Sequence, residues 1–156
     1  MSECKAMIEL PIDIGSCSAL RHLSLPKCVS LTTLPESVGN LSKLEDLILT
    51  KCKFLASLPQ SIGRCSALTL LDLRSCKKLE YLPATLGELH MLRNLDLSTC
   101  KALKELPESV GRLKKLKSID VSNCLVLTDI PASVISRTQS GEISLIGWEL
   151  KIADDE

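Results

Sequence analysis

Residues 68–91 have the sequence LTLLDLRSCKKLEYLPATLGELHM, in which leucine recurs at fixed spacing. In its first part apolar and polar side chains alternate, which is typical of a half-buried β-strand. Leu71 and Leu73 would face a core, whereas Leu70, Asp72 and Arg74 would face solvent. The proline and glycine that follow indicate a turn in the second part. These 24 residues therefore predict one short strand and one returning connection.

This stretch is one copy of a repeat that runs through the chain of 156 residues. Proline, glycine and cysteine each recur in steps of 24 residues, and three residue types do not align over so many periods by chance. The prolines are Pro11, Pro35, Pro59, Pro83, Pro107 and Pro131; the glycines are Gly15, Gly39, Gly63, Gly87 and Gly111; and the cysteines are Cys4, Cys28, Cys52, Cys76, Cys100 and Cys124. A fixed period of this length indicates a solenoid whose units bury their apolar faces against one another.

Stacking the units would place the strands side by side in a parallel ladder, about 4.8 Å apart. The apolar side chains then form columns through the core. The two strand columns are Leu23, Leu47, Leu71, Leu95, Ile119 and Ile143, and Leu25, Leu49, Leu73, Leu97, Val121 and Leu145. We therefore expect an α/β repeat fold, a leucine-rich-repeat solenoid. It would be a curved right-handed coil with one short parallel strand per repeat on the concave face, and with turns and short helical segments on the convex face.

The connection between strands has its own regular chemistry. Each proline of the series fixes φ where the chain leaves the core. The glycine four residues later is expected to close a short helical turn near the left-handed region. A hydroxyl residue between the two can bond to the local backbone. These hydroxyl residues are Ser37, Ser61, Thr85, Ser109 and Ser133.

We expect a single leucine-rich-repeat domain over residues 1–156, divided into three parts. Residues 1–11 would be a partial repeat, residues 12–134 the regular repeats, and residues 135–156 a capping strand followed by an acidic tail. Trp148 falls at the cysteine position, where its ring would cover the last layer of the core. Because the first repeat has Cys4 but lacks its strand, the chain is expected to be a fragment of a longer polypeptide.

The eight cysteines predict a structural role rather than disulfides or a zinc site. Six occupy the repeat position at which Asn or Cys bonds the backbone of the loop after the strand. Cys17 and Cys65 fall in a column otherwise filled by leucine and would be small core residues. No CxxC pair or Cys–His cluster has zinc spacing, so we expect reduced thiols and no metal.

Composition and motifs disfavour several classes of function. Basic and acidic residues balance at 19 each and only 2% of residues are aromatic, so neither nucleic acid nor a membrane surface is expected as a partner. The sequence contains no secretory or membrane-spanning apolar run, which predicts a cytoplasmic location. Without a phosphate loop or a triad, no catalytic residue and no cofactor is assigned. A cysteine hydrolase using Cys17 with His22 is disfavoured because Cys17 belongs to a predicted core column.

The outward strand side chains form columns on the concave face, where solenoids bind their partners. The candidate partner-binding residues are Arg21, His22, Asp46, Ile48, Leu70, Asp72, Arg74, Arg93, Asp96, Lys117 and Asp120. The three stacked aspartates among them have two interpretations: an acidic patch for a protein partner, or a common residue of this repeat. A basic cluster at Arg112, Lys114, Lys115 and Lys117 is expected to be a solvated convex rim.

Two stretches carry a more specific resemblance. Residues 34–63, LPESVGNLSKLEDLILTKCKFLASLPQSIG, and residues 95–111, LDLSTCKALKELPESVG, are similar to the C-terminal repeats of plant nucleotide-binding leucine-rich-repeat disease-resistance receptors. Those repeats favour LxxLxLxxCxxLxxLPxSIGxLxxL, and the resemblance extends from Cys4 to about Val134. It implies a non-catalytic domain that senses a ligand or regulates its receptor. The implied partner is a protein, namely a pathogen effector, a guarded host protein or another domain of the same receptor, and the isolated domain is expected to be a monomer.

Two other protein classes carry similar repeats. The repeat domains of plant-pathogen effectors use LPxSI units with cysteines, and free-standing signalling scaffolds of the Ras-pathway type use LPxSIG units. The scaffold units are usually a residue shorter and poorer in cysteine. The resemblance to the receptors does not extend to their nucleotide-binding module, because this chain has no phosphate loop.

Overall fold

The computed structural model describes residues 7–148, which form a single stack of repeats around a parallel sheet of six strands. The strands follow one another in the sheet in chain order, as expected when each unit packs only on its neighbours. They are β1 His22–Ser24, β2 Asp46–Ile48, β3 Leu70–Asp72, β4 Asn94–Asp96, β5 Ser118–Asp120 and β6 Ser144–Ile146. The chain returns between strands through short 3-10 turns at Ile12–Ser16, Glu36–Asn40, Gln60–Arg64, Ala84–Glu88 and Glu108–Arg112, and finally through α1, Ala132–Gln139.

The register of the first five strands is the predicted one. Leu23 lies opposite Leu47, and each following pair is again 24 residues apart as far as Ile119 in β5. From β2 to β5 the inward residue of the strand is at most 1% exposed, so the predicted column is the centre of the core. Leu23 and Leu25 of the first unit are only partly buried. No helix among residues 7–148 is long and apolar enough to cross a membrane.

The register predicted for the last strand is wrong by two residues. Leu145, not Ile143, lies opposite Ile119, and Ile146 lies opposite Asp120. The cause is the last connection, which is the eight-residue helix α1 instead of a five-residue 3-10 turn. Ile143 remains buried just before the strand. Its backbone N–H donates to the Arg137 carbonyl at 3.3 Å, which anchors it to the end of the helix.

The same two-residue shift changes the place of Trp148. This residue does not occupy the cysteine position, because it follows β6 by two residues and so corresponds to Ser122 after β5. Its side chain is partly buried and packs against the core, as predicted for a residue that covers the last layer. Cys4 and the acidic tail predicted at the end of the chain lie outside the described residues.

The repeated glycine serves close packing rather than left-handed backbone, which corrects the sequence prediction. Among the described glycines only Gly141 and Gly147 have positive φ. At Gly87 an added Cβ would lie 2.4 Å from the carbonyl oxygen and 2.6 Å from the Cβ of Ser109 in the next turn. Successive turns therefore touch at a point where only a hydrogen atom fits.

The hydroxyl residues of these turns are also explained by packing. The Oγ atoms of Ser37, Ser61 and Ser109 are buried without a hydrogen-bond partner within residues 7–148, so the predicted backbone bonds are absent there. Thr85 alone among the predicted set bonds a carbonyl in a neighbouring turn, that of Gln60 at 2.7 Å. A small side chain is needed at this position because it faces the glycine of the preceding unit.

The left-handed position of each unit is the residue before the repeat cysteine. These residues have φ between 59° and 64° and are Lys27, Lys51, Ser75, Thr99 and Asn123. Such values are uncommon outside glycine, and a β-branched residue there is unusual. Hydrogen bonds between neighbouring units hold these positive φ values. The N–H groups of the first four left-handed residues each donate to a carbonyl of the following unit, as Lys51 does to Arg74 at 2.7 Å.

The cysteine ladder behaves largely as predicted. The thiols of Cys52, Cys76, Cys100 and Cys124 donate to backbone carbonyls, for example Cys76 to Leu49 at 3.3 Å and Cys100 to Leu73 at 3.1 Å. The acceptor is the residue just after the strand of the preceding unit, so each of these thiols links two repeats. Burial raises the pKa of Cys100 to about 12, and no disulfide joins the described cysteines.

The two additional cysteines differ from each other. Cys65 is fully buried and burial raises its pKa to about 11, in agreement with a core role. Cys17 is exposed, so its assignment to the core is wrong. It lies after the first described turn, and no earlier turn among residues 7–148 covers it.

Candidate protein-binding face

The concave face carries all eleven residues predicted for partner binding. They lie in four columns that run across the strands, one residue per unit in each column. The columns contain Arg21, Arg93 and Lys117 just before the strands; His22, Asp46 and Leu70 at the first strand position; Ile48, Asp72, Asp96 and Asp120 at the last; and Arg74 just after β3. The structure therefore brings the predicted set together on one surface, although its residues span about a hundred positions of sequence.

Side-chain contacts between equivalent positions join the first two units. The Arg21 guanidinium pairs with the Glu45 carboxylate, and His22 Nδ1 lies 2.7 Å from Asp46 Oδ2. Arg21 and His22 are exposed, and Glu45 and Asp46 are only partly buried, so these contacts contribute little to stability. They leave an exposed charged margin at one end of the concave face.

An apolar pair occupies the middle of this face. Ile48 ends β2 and Leu70 begins β3, and both are half-buried although they point away from the core. Ile48 lies opposite Asp72, and Leu70 lies opposite Asp46. The two apolar side chains are therefore surrounded by charged groups, an arrangement typical of the centre and rim of a protein interface.

The Asp72 carboxylate is the most enclosed charged group of the face, so the prediction that this side chain is open to solvent is wrong. It is 5% exposed and accepts a hydrogen bond from Thr50 Oγ1 at 2.9 Å. The Arg74 guanidinium donates to it at 2.7 Å through Nη2, and the Arg74 backbone N–H donates to it at 3.0 Å. Arg74 Nε also lies 3.3 Å from Asp96 Oδ2, so one arginine bridges two neighbouring aspartates.

All three stacked aspartates share one backbone role. Each accepts a hydrogen bond from the N–H two residues later: Asp96 from Ser98 at 3.0 Å and Asp120 from Ser122 at 2.8 Å, in the same manner as Asp72. This bond organises the turn that leads to the left-handed residue. The geometry supports the interpretation of this aspartate as a residue of the repeat. A loss of binding after its replacement would therefore not by itself demonstrate contact with a partner.

Sequence reasoning missed two features of this site. Thr50 binds the Asp72 carboxylate from the neighbouring unit, a contact that depends on the pairing of β2 with β3. The left-handed residue of each turn was also missed, although Asn123 at one of these positions offered a signal because asparagine adopts this conformation more readily than most residues.

The environment of Asp72 predicts a pH dependence of stability. Burial alone would raise the pKa of this carboxyl, but the hydrogen bonds from Arg74 and Thr50 outweigh it and lower the pKa below its usual range. A lowered pKa means that the ionised carboxylate stabilises the folded state above the unfolded pKa of about 3.9, and that this contribution is lost as the pH falls through the lower folded pKa. We expect Asp72→Asn to lower the free energy of unfolding by about 1–3 kcal/mol at pH 7.

Urea unfolding of both proteins from pH 7 to pH 2 measures this contribution. The difference between them is expected to shrink as the pH falls below about 3.9, because the carboxyl of the unfolded chain then takes up protons first, and to be lost once the pH has fallen through the lower folded pKa. Asp13→Asn in an exposed turn is the matched control and is expected to have little effect at any pH. A difference for Asp72→Asn that stays constant down to pH 2 would contradict the assignment.

Comparisons with known proteins place the fold. No protein-family model and no curated protein matches the sequence. Among solved structures, the chain is similar to the leucine-rich repeat domain of the type III effector XopL, with 27% identity, a TM-score of 0.67, and coverage of 89% of this chain and 57% of that chain. A chain of the Toll–Spatzle complex of Drosophila has 25% identity and a TM-score of 0.71, over 88% of this chain and 18% of that chain.

A third similar structure is a chain of the Arabidopsis receptor kinase HAESA complex with the peptide hormone IDA and the co-receptor SERK1. It has 21% identity and a TM-score of 0.51, over 88% of this chain and 31% of that chain. The described residues thus form a leucine-rich-repeat solenoid, and the chain spans less than two thirds of each of these three structures.

Proposed function

We propose that this leucine-rich-repeat chain is a non-catalytic protein-binding module, and that it is the ligand-sensing or regulatory repeat domain of a plant intracellular immune receptor. The cytoplasm is then its location, and its partner is a pathogen effector, a guarded host protein or another domain of the same receptor. The observation that carries the proposal is the concave face, on which the apolar pair Ile48 and Leu70 lies among charged side chains.

The chemistry of this face is suited to a protein surface. Apolar side chains at the centre of an interface supply most of the binding energy when a polar rim excludes water around them. Here the rim includes Arg21, Arg93 and Lys117, which stand just before their strands and are exposed. Arginine is common at such positions because its planar donor groups form directed hydrogen bonds with a partner.

The similarity to known repeat structures supports protein binding in general terms. The Drosophila structure is that of Toll with Spatzle, so a solenoid similar to this chain is found in complex with another protein. The receptor assignment rests on the cysteine ladder and the LPxSIG turns of the sequence. Cys65 is a poor candidate nucleophile, because burial raises the pKa of its thiol to about 11 and a protonated thiol reacts slowly, whereas Cys17 is exposed.

A second candidate is the repeat domain of a plant-pathogen effector. The similarity to the XopL repeat domain favours it, at 27% identity over 89% of this chain. Both candidates predict a protein partner on the concave strands. They differ in one respect: a pathogen protein or a receptor domain is expected as partner only for an immune receptor, whereas a host protein is expected for either candidate.

Site-directed photocrosslinking tests the proposal. Benzoylphenylalanine placed at Leu70 lies at the centre of the concave face, whereas the same probe at Phe54 lies on a loop after the cysteine position. In extracts of infected plant tissue, we expect the Leu70 probe to form a saturable adduct that mass spectrometry can identify. Unlabelled protein is expected to compete for it.

The competition also provides the matched control. Unlabelled protein with Arg21→Glu, Arg93→Glu and Lys117→Glu is expected to compete at least about tenfold more weakly, because three rim contacts are reversed in charge. A competitor with Lys53→Glu, Lys77→Glu and Lys101→Glu has the same net charge but an unaltered concave face, and is expected to compete normally. Equal labelling from Leu70 and Phe54, or equal loss with both competitors, would contradict the proposal.

A further inference from the structure

A basic cleft lies outside the strand face, at the outer edge of the fourth and fifth units. Its volume is about 550 Å³, and it is lined by His90, Met91, Arg112, Lys114 and Lys115. It combines a positive charge with an apolar wall. The sequence suggested only a solvated rim here, because it did not show that two successive turns enclose a cleft. Lys117, predicted as part of that rim, does not line the cleft and lies directly before β5.

Two stacked turns build the cleft. After each 3-10 turn the chain makes a tight bend before the next strand, closed by the hydrogen bonds Leu92 N to Leu89 O at 2.9 Å and Leu116 N to Leu113 O at 3.0 Å. The two residues at the tip of each bend are therefore held outward: His90 with Met91 in one unit, and the two lysines in the next. Because consecutive units are one strand spacing apart, about 4.8 Å, the tips face one another across a narrow gap.

The cations of the cleft have no acidic partner among the described residues. Arg112 and Lys114 are exposed and take part in none of the ion pairs there, and the Lys115 ammonium lies 3.2 Å from the Met91 sulfur, a weak acceptor. Three like charges that line one cleft repel one another. An anionic partner would remove that repulsion and gain three charge contacts at once.

A second edge of the solenoid is also rich in lysine, but there a lysine has an acidic partner and the charge is mixed. Lys104 is paired there with the Glu80 carboxylate at 2.6 Å and lies 5.0 Å from the centre of the Tyr81 ring. Glu105 also lies on that edge, so its charge is mixed. The cleft is therefore the place where positive charge is both concentrated and uncompensated.

We infer that this cleft binds an acidic polypeptide segment in which carboxylate side chains alternate with aliphatic ones. The carboxylates match the three cations, and the aliphatic side chains match Met91 and the methylene stems of the lysines, which adapt readily to a partner. A nucleic acid is disfavoured because the cleft has no aromatic side chain for base stacking. The cleft lies on the outer edge, so it adds a second contact region to the concave face.

Titration of the full chain with a fluorescein-labelled twelve-residue peptide of alternating glutamate and leucine tests this inference by fluorescence anisotropy. The triple variant Arg112→Gln, Lys114→Gln and Lys115→Gln is expected to weaken binding roughly tenfold, because three surface charge contacts are lost. The variant Lys77→Gln, Lys78→Gln and Lys101→Gln removes the same charge from the other edge and is expected to change binding less than about twofold. The matching peptide with glutamine in place of glutamate is expected not to bind.

The location of binding is measured separately by NMR. The amide signals expected to shift on titration are those of residues 89–92 and 112–116, whereas those of the strands stay in place. Equal weakening by both triple variants, shifts confined to the concave strands, or stronger binding of single-stranded RNA or inorganic phosphate would overturn the inference. A negative result leaves the concave-face proposal intact, because crosslinking at Leu70 does not depend on the cleft.

Discussion

Replacing Leu95 by alanine is expected to lower the free energy of unfolding by about 2–5 kcal/mol, the range for truncation of a buried leucine. Leu95 is the inward residue of β4, is 1% exposed, and lies between Leu71 in β3 and Ile119 in β5. The cavity would open between two neighbouring layers of the core. In a solenoid each unit is held only by its neighbours, so both interfaces of the fourth unit would lose contacts.

Urea unfolding monitored by circular dichroism measures this loss, and the chain provides a matched control. Leu125→Ala removes the same atoms from a side chain that is 71% exposed, and is expected to change the free energy of unfolding by no more than about 0.5 kcal/mol. A loss below about 0.5 kcal/mol for Leu95→Ala as well would mean that the register of the ladder is incorrect, since no buried leucine is truncated so cheaply.

Gly87→Ala is the second substitution with a large expected effect. The new Cβ would lie 2.4 Å from a backbone oxygen and 2.6 Å from the Cβ of Ser109, and neither atom can rotate away. Overpacking of this kind costs about 1–3 kcal/mol or more, because the two turns must move apart. The gain of about 1 kcal/mol that alanine offers in an ordinary helix is expected to be smaller than this cost.

Gly141→Ala separates two reasons for a glycine, which are close packing as at Gly87 and a backbone with positive φ as at Gly141. An added Cβ at Gly141 meets nothing within 4 Å, but the backbone has φ of +76°. Its expected cost is the left-handed strain alone, about 1–2 kcal/mol. Thermal and urea unfolding are therefore expected to show a lower free energy of unfolding for both variants, from steric overlap at Gly87 and from left-handed strain at Gly141. An unchanged or increased stability for Gly87→Ala would show that successive turns do not approach as closely as described here.

The prediction of the fold from the sequence succeeded where one local pattern was repeated many times. The 24-residue step of proline, glycine and cysteine set the strand pairing from β1 to β5, because side chains in equivalent positions must superpose when identical units stack. The same pattern placed the eleven candidate residues on one face. It failed at β6, where α1 replaced a 3-10 turn and the step was no longer 24 residues.

The failures inside the repeat have a common origin. Glycine was assigned to left-handed backbone, and the turn serines to backbone hydrogen bonds, because those are their usual roles in an isolated turn. The structure gives both residues a role between units: Gly87 leaves room for Ser109, and the Ser109 hydroxyl remains without a partner in the described chain. Contacts between units depend on the distance between turns, which a one-dimensional pattern does not contain.

The sequence by itself therefore determined the class of the fold, the core columns and the residues that share the concave face. These properties follow from periodicity, because side chains that recur with the repeat period line up when the units stack, and the apolar ones among them become buried together. The tertiary structure alone decided that Arg74 bridges Asp72 and Asp96, that the stacked aspartates organise the turns, and that two bends enclose a basic cleft. These properties depend on atomic distances between neighbouring units, and hydrogen bonds and charge contacts lose their strength within a few ångströms.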